Sequence, residues 1–196
     1  MSADAEGYGR RTDPEKSVAQ AMLESVLSDA ALDAGLRRDS WLRQPKGDEE
    51  LAVLPGEELE PKVVGPFLDA LDDGLARRNF GLPPSKRLRL RVALHHGVAY
   101  PAPLGFGGQA VVHVSRLVNA EPVRRALVLA PDANLAVILS PEVFDHVVRQ
   151  GYTELSPRDF RRVEVELKEI TAAGWLRVPG ADVHSLELRE AAPAPS

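Results

Sequence analysis

The run Arg87-Leu88-Arg89-Leu90-Arg91-Val92-Ala93-Leu94-His95-His96-Gly97 decides the architecture. Arginines at 87, 89 and 91 alternate with Leu88, Leu90 and Val92, and this period of two predicts a strand with one wet face. The arginine row reads as a solvated or helix-covered face with acidic partners. His95 and His96 end the strand on opposite sides, one packing inward. Both read as structural, because no Asp, Glu or His stands at metal-ligand spacing from them.

The flanking sequence fills in helices and further strands. Asp13-Pro14-Glu15 predicts a helix start, with Asp13 as the N-cap and Val18, Met22, Val26 and Ala30 as the apolar stripe up to Gly35. Trp41 to Gln44 and Leu51 to Leu54 flank a Gly47-Asp48 turn and predict a hairpin. A second helix spans about 60–78, where Pro66 must start or kink it. A helix over 109–119, a buried strand at 135–139, a helix from Ser140 to about 150, and strands at 160–167 and 175–178 follow. After Gly180 the chain is polar and ends Ala-Ala-Pro-Ala-Pro-Ser, which predicts a disordered tail over 181–196 and a single domain over 1–180. The alternation implies an α/β (α+β) layered fold with helices packed on a sheet.

The 196 residues include no cysteine, which removes disulfides, thiolate metal sites and cysteine nucleophiles. The net charge of −5, with both signs interspersed, argues against nucleic acid as a partner. No apolar run approaches the ~20 residues of a membrane span, and the first residues do not read as a leader. Both point to a cytoplasmic chain. Arg outnumbers Lys 19 to 5, as in proteins of GC-rich bacterial genomes.

Candidate chemistry is sparse. Asp4, in Asp4-Ala5-Glu6-Gly7-Tyr8-Gly9, and Asp48, on the hairpin turn, could together hold Mg²⁺ or Mn²⁺, hard cations that prefer oxygen. Each also has a plain reading, Asp4 as a solvated acid and Asp48 as a turn residue.

Taken in order, these pieces resemble the class III nucleotidyl (adenylate/guanylate) cyclase catalytic domain. The first Asp motif of that family is matched by Asp4 to Gly9, and its Gly-Asp hairpin by Gly47-Asp48. Its strand ending His-x-Gly is matched by Arg89 to Gly97, and its Val-Asn-x-Ala-Ala-Arg-Leu helix in part by Val111 to Leu117. Its last strand, ending Leu-Lys-Gly, is matched by Leu167-Lys168-Glu169.

The resemblance implies a ferredoxin-like cyclase fold with a mixed, mostly antiparallel sheet. It implies a nucleoside triphosphate at a dimer interface, either a homodimer or a heterodimer with another cyclase-like chain. Two Mg²⁺ or Mn²⁺ ions would be held by Asp4, Asp48 and the Ala5 carbonyl. The N–H groups of Gly7, Tyr8 and Gly9 would face the phosphates, Arg116 would stabilise transition-state charge, and Lys168 would hold the terminal phosphates. The departures are as specific. Val112 stands where the family has its ribose-positioning Asn, Gln44 falls at the base-reading position, and Gly105 falls near the base-reading partner. These imply weak or altered cyclisation to a 3′,5′-cyclic nucleotide. The alternative is an inactive nucleotide sensor or dimerising module of a bacterial signalling or defence system. Only Met1-Ser2-Ala3 precede Asp4, too few for a strand of ~5–6 residues. Either the native start lies upstream or the first central strand is missing, which would leave Asp4 poorly anchored.

Overall fold

A computed structural model describes residues 1–58, 60–167 and 170–188. Its main sheet has seven strands: β1 (Ser2–Ala5), β2 (Leu42–Lys46), β3 (Glu49–Val53), β4 (Leu90–Leu94), β7 (Leu135–Leu139), β8 (Arg161–Leu167) and β9 (Ile170–Arg177). A two-stranded ribbon, β5 (Tyr100–Ala102) and β6 (Gly105–Gly107), stands apart. The order across the main sheet is β2-β3-β1-β4-β7-β9-β8, antiparallel except for β4 with β7. The mixed α+β architecture is the one expected.

The first central strand is present after all. β1 needs only four residues, and Asp4 is one of them. It pairs on both sides, Asp4 lying opposite Glu49 of β3 and Arg91 of β4. The expectation of a missing strand and a loose Asp4 fails because neighbours on both edges fix β1. The Met1 amino group also donates to the Ala52 carbonyl at 2.9 Å.

One face of the sheet carries α1 (Asp13–Asp33) and a rod made of α2 (Glu60–Lys62), a π-turn (Val63–Phe67) and α3 (Leu68–Asn79). Ala3, Ala5, Leu90, Val92 and Leu94 point into that core. Pro66 neither starts the rod nor breaks it. It lies inside the π-turn, where the widened ladder absorbs its missing N–H. The helix start of α1 sits one residue earlier than expected. Thr12 is the N-cap, its backbone N–H donating to Glu15 Oε2 at 2.9 Å in a capping box. The buried stripe is Ala19, Leu23, Val26, Leu27 and Ala30, while Val18 is exposed. A short helix α6 (Pro141–Val143), followed by a π-turn (Phe144–Val148), closes this layer.

The other face is covered by α4 (Gln109–Val118) and α5 (Glu121–Leu129). Neither α5 nor the β5–β6 ribbon has a counterpart in the expected order. Because α4 and α5 cover it, the arginine face of β4 is not wet: Ala93 is fully buried and Arg91 half-buried. The helix-covered reading with acidic partners holds, through Arg89–Glu6 and Arg91–Asp4. Arg89 also ties the layers together. It donates to the carbonyls of Ala130 at 2.7 Å and Ala133 at 2.8 Å, and to that of Leu127, at the open C-terminal end of α5. The polar stretch after Gly180 is not a free tail from 181: Val183 and Leu188 are buried against this second core.

Arg38 anchors the β2–β3 hairpin to α1. Its guanidinium forks onto Glu50 at 2.6 and 2.9 Å and reaches Glu24 at 2.7 Å, with Arg38 and Glu50 both buried. Removing one partner strands a buried charge. Arg38→Met is therefore expected to cost about 3–5 kcal/mol of unfolding free energy in urea titration. The double variant Arg38→Met/Glu50→Leu is expected to recover most of that loss. Equal loss in both would show that packing, not charge, anchors the hairpin.

Candidate functional site

Strand pairing brings the two aspartates together. Asp4 is the third residue of β1, and its side chain lies on the α4/α5 side of the sheet. Asp48 stands on the β2–β3 turn beside Gly47, whose φ of +65° suits glycine. The Ala5 N–H donates to the Asp48 carbonyl at 2.9 Å, which locks the end of β1 to the turn. Asp4 is buried and Asp48 half-buried.

Sequence reasoning missed the group that holds Asp4. Arg91, opposite it on β4, donates through Nε to Asp4 Oδ2 at 2.9 Å and through Nη2 to the same oxygen. The signal was available: β4 has period two, and Arg91 faces β1 once the register is known. Burial pushes the Asp4 carboxyl above its usual range. Arg91 opposes this, while the charges of Asp48 and Glu49 push the same way as burial.

These residues fit a hard cation in part. The donors are all oxygen, and Asp4 Oδ1 and the Asp48 carboxylate accept no hydrogen bond among the described residues. A cation between them would relieve the like-charge contact that raises the Asp4 pKa. Arg91 already supplies part of that positive charge. Among the described residues no group of three or more His, Asp or Glu side chains forms a ready cage.

The loop after β1 turns at Gly7, with φ of +71°, into a 3₁₀ turn at Tyr8–Arg10. The first N–H groups of such a turn have no partner within it, and among the described residues those of Tyr8 and Gly9 have no backbone acceptor. The Arg10 guanidinium folds over Gly7, where a Cβ would meet Nη2 at 3.0 Å. The Tyr8 hydroxyl takes a 2.7 Å hydrogen bond from Gln20 of α1, so its side chain points away from the loop.

Gln44 and Gly105 lie in contact. The Gln44 amide donates to the Leu104 carbonyl at 3.0 Å, and a Cβ at Gly105 would fall within 2.1–2.5 Å of that amide. Only glycine fits there, and its φ of +120° makes the same demand. Val112 and Arg116 stand one turn apart on the exposed side of α4. Arg116 makes no ion pair among the described residues. Lys168 and Glu169 lie outside the described residues.

His95 packs inward, as expected of one of the pair. Its ring stacks on His113 of α4 with centroids 4.4 Å apart, and its Nδ1 lies 3.7 Å from Glu142. His96 turns outward to Glu60 at 2.6 Å.

No protein-family profile matches this chain, and no curated protein matches it by sequence. Solved structures do. An adenylate/guanylate cyclase/hydrolase from Silicibacter pomeroyi superposes with a TM-score of 0.62 at 17% identity, over 92% of this chain and 95% of that one. A guanylyl cyclase gives 0.57 at 12% identity, over 96% and 94%. A guanylate cyclase domain from Catenaria anguillulae, solved with GTP, gives 0.54 at 12%, over 90% and 92%. The chain therefore has the fold of the adenylate/guanylate cyclase domains.

Burial, and then the neighbouring imidazole, hold the His95 pKa below its ordinary 6.5, and burial does the same for His113. The unfolded chain therefore binds more protons than the folded one in the window just below 6.5, and stability falls as pH falls through it. The melting temperature is expected to drop on acidification from about pH 7.5 to about pH 5.5. Replacing both rings, in His95→Phe/His113→Phe, is expected to flatten that slope. An unchanged slope would assign the loss to other groups.

Proposed function

We propose that this domain binds a nucleoside triphosphate with a divalent cation at an interface between two chains, and cyclises it weakly or with altered base preference. The observation that carries this reading is the convergence of Asp4 and Asp48 at one end of a cyclase-fold sheet. A module that only dimerises has no physical need for two acids brought to one end of a sheet, one of them buried and raised in pKa chiefly by that burial.

In this reading Asp4 and Asp48 bind a Mg²⁺ or Mn²⁺ ion each or between them, with the Ala5 carbonyl alongside. When bound, the cation supplies charge neutralisation for the triphosphate and acidity for the ribose 3′-hydroxyl. The N–H groups of Gly7, Tyr8 and Gly9 receive phosphate oxygens. Arg116 of a second chain holds negative charge that builds up as the 3′-oxygen attacks the α-phosphorus and pyrophosphate leaves. Lys168 holds the terminal phosphates. The exposed apolar side chains Val98, Leu104 and Val112, on and around α4 and the ribbon, support a second chain seated there.

A second reading, a nucleotide sensor without catalysis, is favoured by three observations. Val112 cannot position a ribose by hydrogen bonding, and Arg91 already occupies Asp4. The Gln44 amide is also spent on Leu104, which leaves less of it for reading a base.

The test is incubation with ATP, GTP, CTP or UTP and Mn²⁺, with cyclic product read by mass and binding by thermal melting. A melting shift with at least one nucleotide and a small yield of cyclic product are expected. A shift without product selects the sensor, and neither signal overturns both readings. Asp48→Ala is expected to abolish product and the Mn²⁺-dependent shift while leaving the melt cooperative. Val112→Asn returns a donor to the ribose position and is expected to raise the cyclisation rate by about 10²–10³-fold.

A further inference from the structure

A cavity of about 720 Å³ lies away from the aspartates. It opens at the opposite end of the sheet, where β4 and β7, a parallel pair, both terminate. Its walls come from the end of β3, the rod beginning with α2, α4 and the helix after β7. Val53, Val64, Leu94, Val111, Val114 and Val147 give its character. Asp4, Asp48, Gln44 and Arg116 take no part in it.

Its polar groups define what it would accept. No Lys or Arg lines it, and the Met1 amino group in its wall donates to the Ala52 carbonyl and has its pKa pushed down to about 5 by burial, so little positive charge is available there for a phosphate or carboxylate. Glu58 and Glu60 at the rim would repel an anion. Both are engaged already: Glu58 accepts from the Arg37 N–H at 2.8 Å, and Glu60 faces His96 at 2.6 Å. His95 lines the cavity, and its Nδ1 is buried without a hydrogen-bond partner, as is Nε2 of the stacked His113. Orphaned buried polar atoms of this kind are uncommon in a finished interior. The volume lies within the range of small-molecule sites.

We propose that this cavity is a second ligand site, separate from the aspartate pair, for a small, neutral, mainly apolar molecule with one hydrogen-bonding group that meets the imidazole of His95 in the cavity wall. The proposal does not depend on nucleotide binding, because no residue is shared. A charged metabolite is excluded by the same lining that excludes a second nucleotide. The wall formed by Val111 and Val114 belongs to α4, the helix that carries Arg116, so a molecule seated here touches the element that presents the arginine.

Two dyes with a common ring system test it. N-phenyl-1-naphthylamine is neutral with one N–H, and 8-anilino-1-naphthalenesulfonate adds only an anionic group. The full chain is expected to bind the neutral dye saturably, one per chain, and the sulfonate at least about tenfold more weakly. His95→Phe, which keeps the ring and removes the nitrogens, is expected to weaken the neutral dye about fivefold. Ala99→Trp, at a half-buried wall position, is expected to abolish its binding, with a cooperative melt confirming the fold. The proposal is overturned by any of four results. These are no saturable binding, equal affinity for the sulfonate, displacement of the neutral dye by nucleoside triphosphate, or binding lost as chains associate at higher concentration. The last would assign the cavity to a second copy of the chain.

Discussion

Four residues of backbone hold this molecule together. β1 is short, yet it lies in the middle of the seven-stranded sheet and hydrogen-bonds to β3 on one side and β4 on the other. Its two alanines are almost fully buried, and small side chains there let α1 and the α2–α3 rod approach the sheet closely. A strand in that position has no free edge and no room for slippage, since a shift by one residue would turn Asp4 into the apolar core and Ala3 toward Arg91. The register of β1 therefore fixes which side of the sheet Asp4 occupies. It also fixes that Arg91 stands opposite Asp4, and that the β2–β3 turn brings Asp48 alongside.

Much of the layered order was legible because it is written in local signals. The period-two run into β4, the Gly47-Asp48 turn, Ser140-Pro141 at a helix start and the apolar run Leu135–Leu139 each mark their element without help from the rest of the chain. What was not legible depends on partners far away in sequence. The wetness of the arginine face was misread because alternation says only that two faces differ. Whether the polar face meets water depends on α4 and α5, which lie 20–40 residues further on. The start of α5 does carry a signal in Glu121-Pro122, followed by buried Val123, Ala126 and Leu127. β1 was discounted on length alone, although a strand paired on both sides needs fewer residues than one that must hold an edge.

The candidate site divides along the same line. Asp4 and Asp48 could be picked out from motif and turn, and Gln44 and Gly105 from their places in a resemblance. The contacts that decide their chemistry could not. Arg91 on Asp4 and the Leu104 carbonyl on Gln44 are pairings across 87 and 60 positions of sequence. Each places a partner on a group that a nucleotide or a cation would otherwise use. The cost of displacing Arg91 is softened by Asp48 and Glu49, whose charges keep that corner attractive to positive charge.

The sheet thus has two chemically different ends. At the β1 C-terminus and the β2–β3 turn, carboxylates and guanidinium groups crowd together and the interior is polar. At the carboxyl ends of β4 and β7, the walls are aliphatic and the polar groups are imidazoles and engaged glutamates. A charged ligand is stabilised only where countercharge is available, and an apolar one only where water is easily given up. In the proposed reading one fold offers two sites that do not compete, and α4 lines the second while carrying Arg116, the arginine proposed for the first. The seating of that helix is one route by which the apolar end could influence the charged end. The His95–His113 stack joins the residue that follows β4 to α4 at that end, so it is a place where such coupling would be felt.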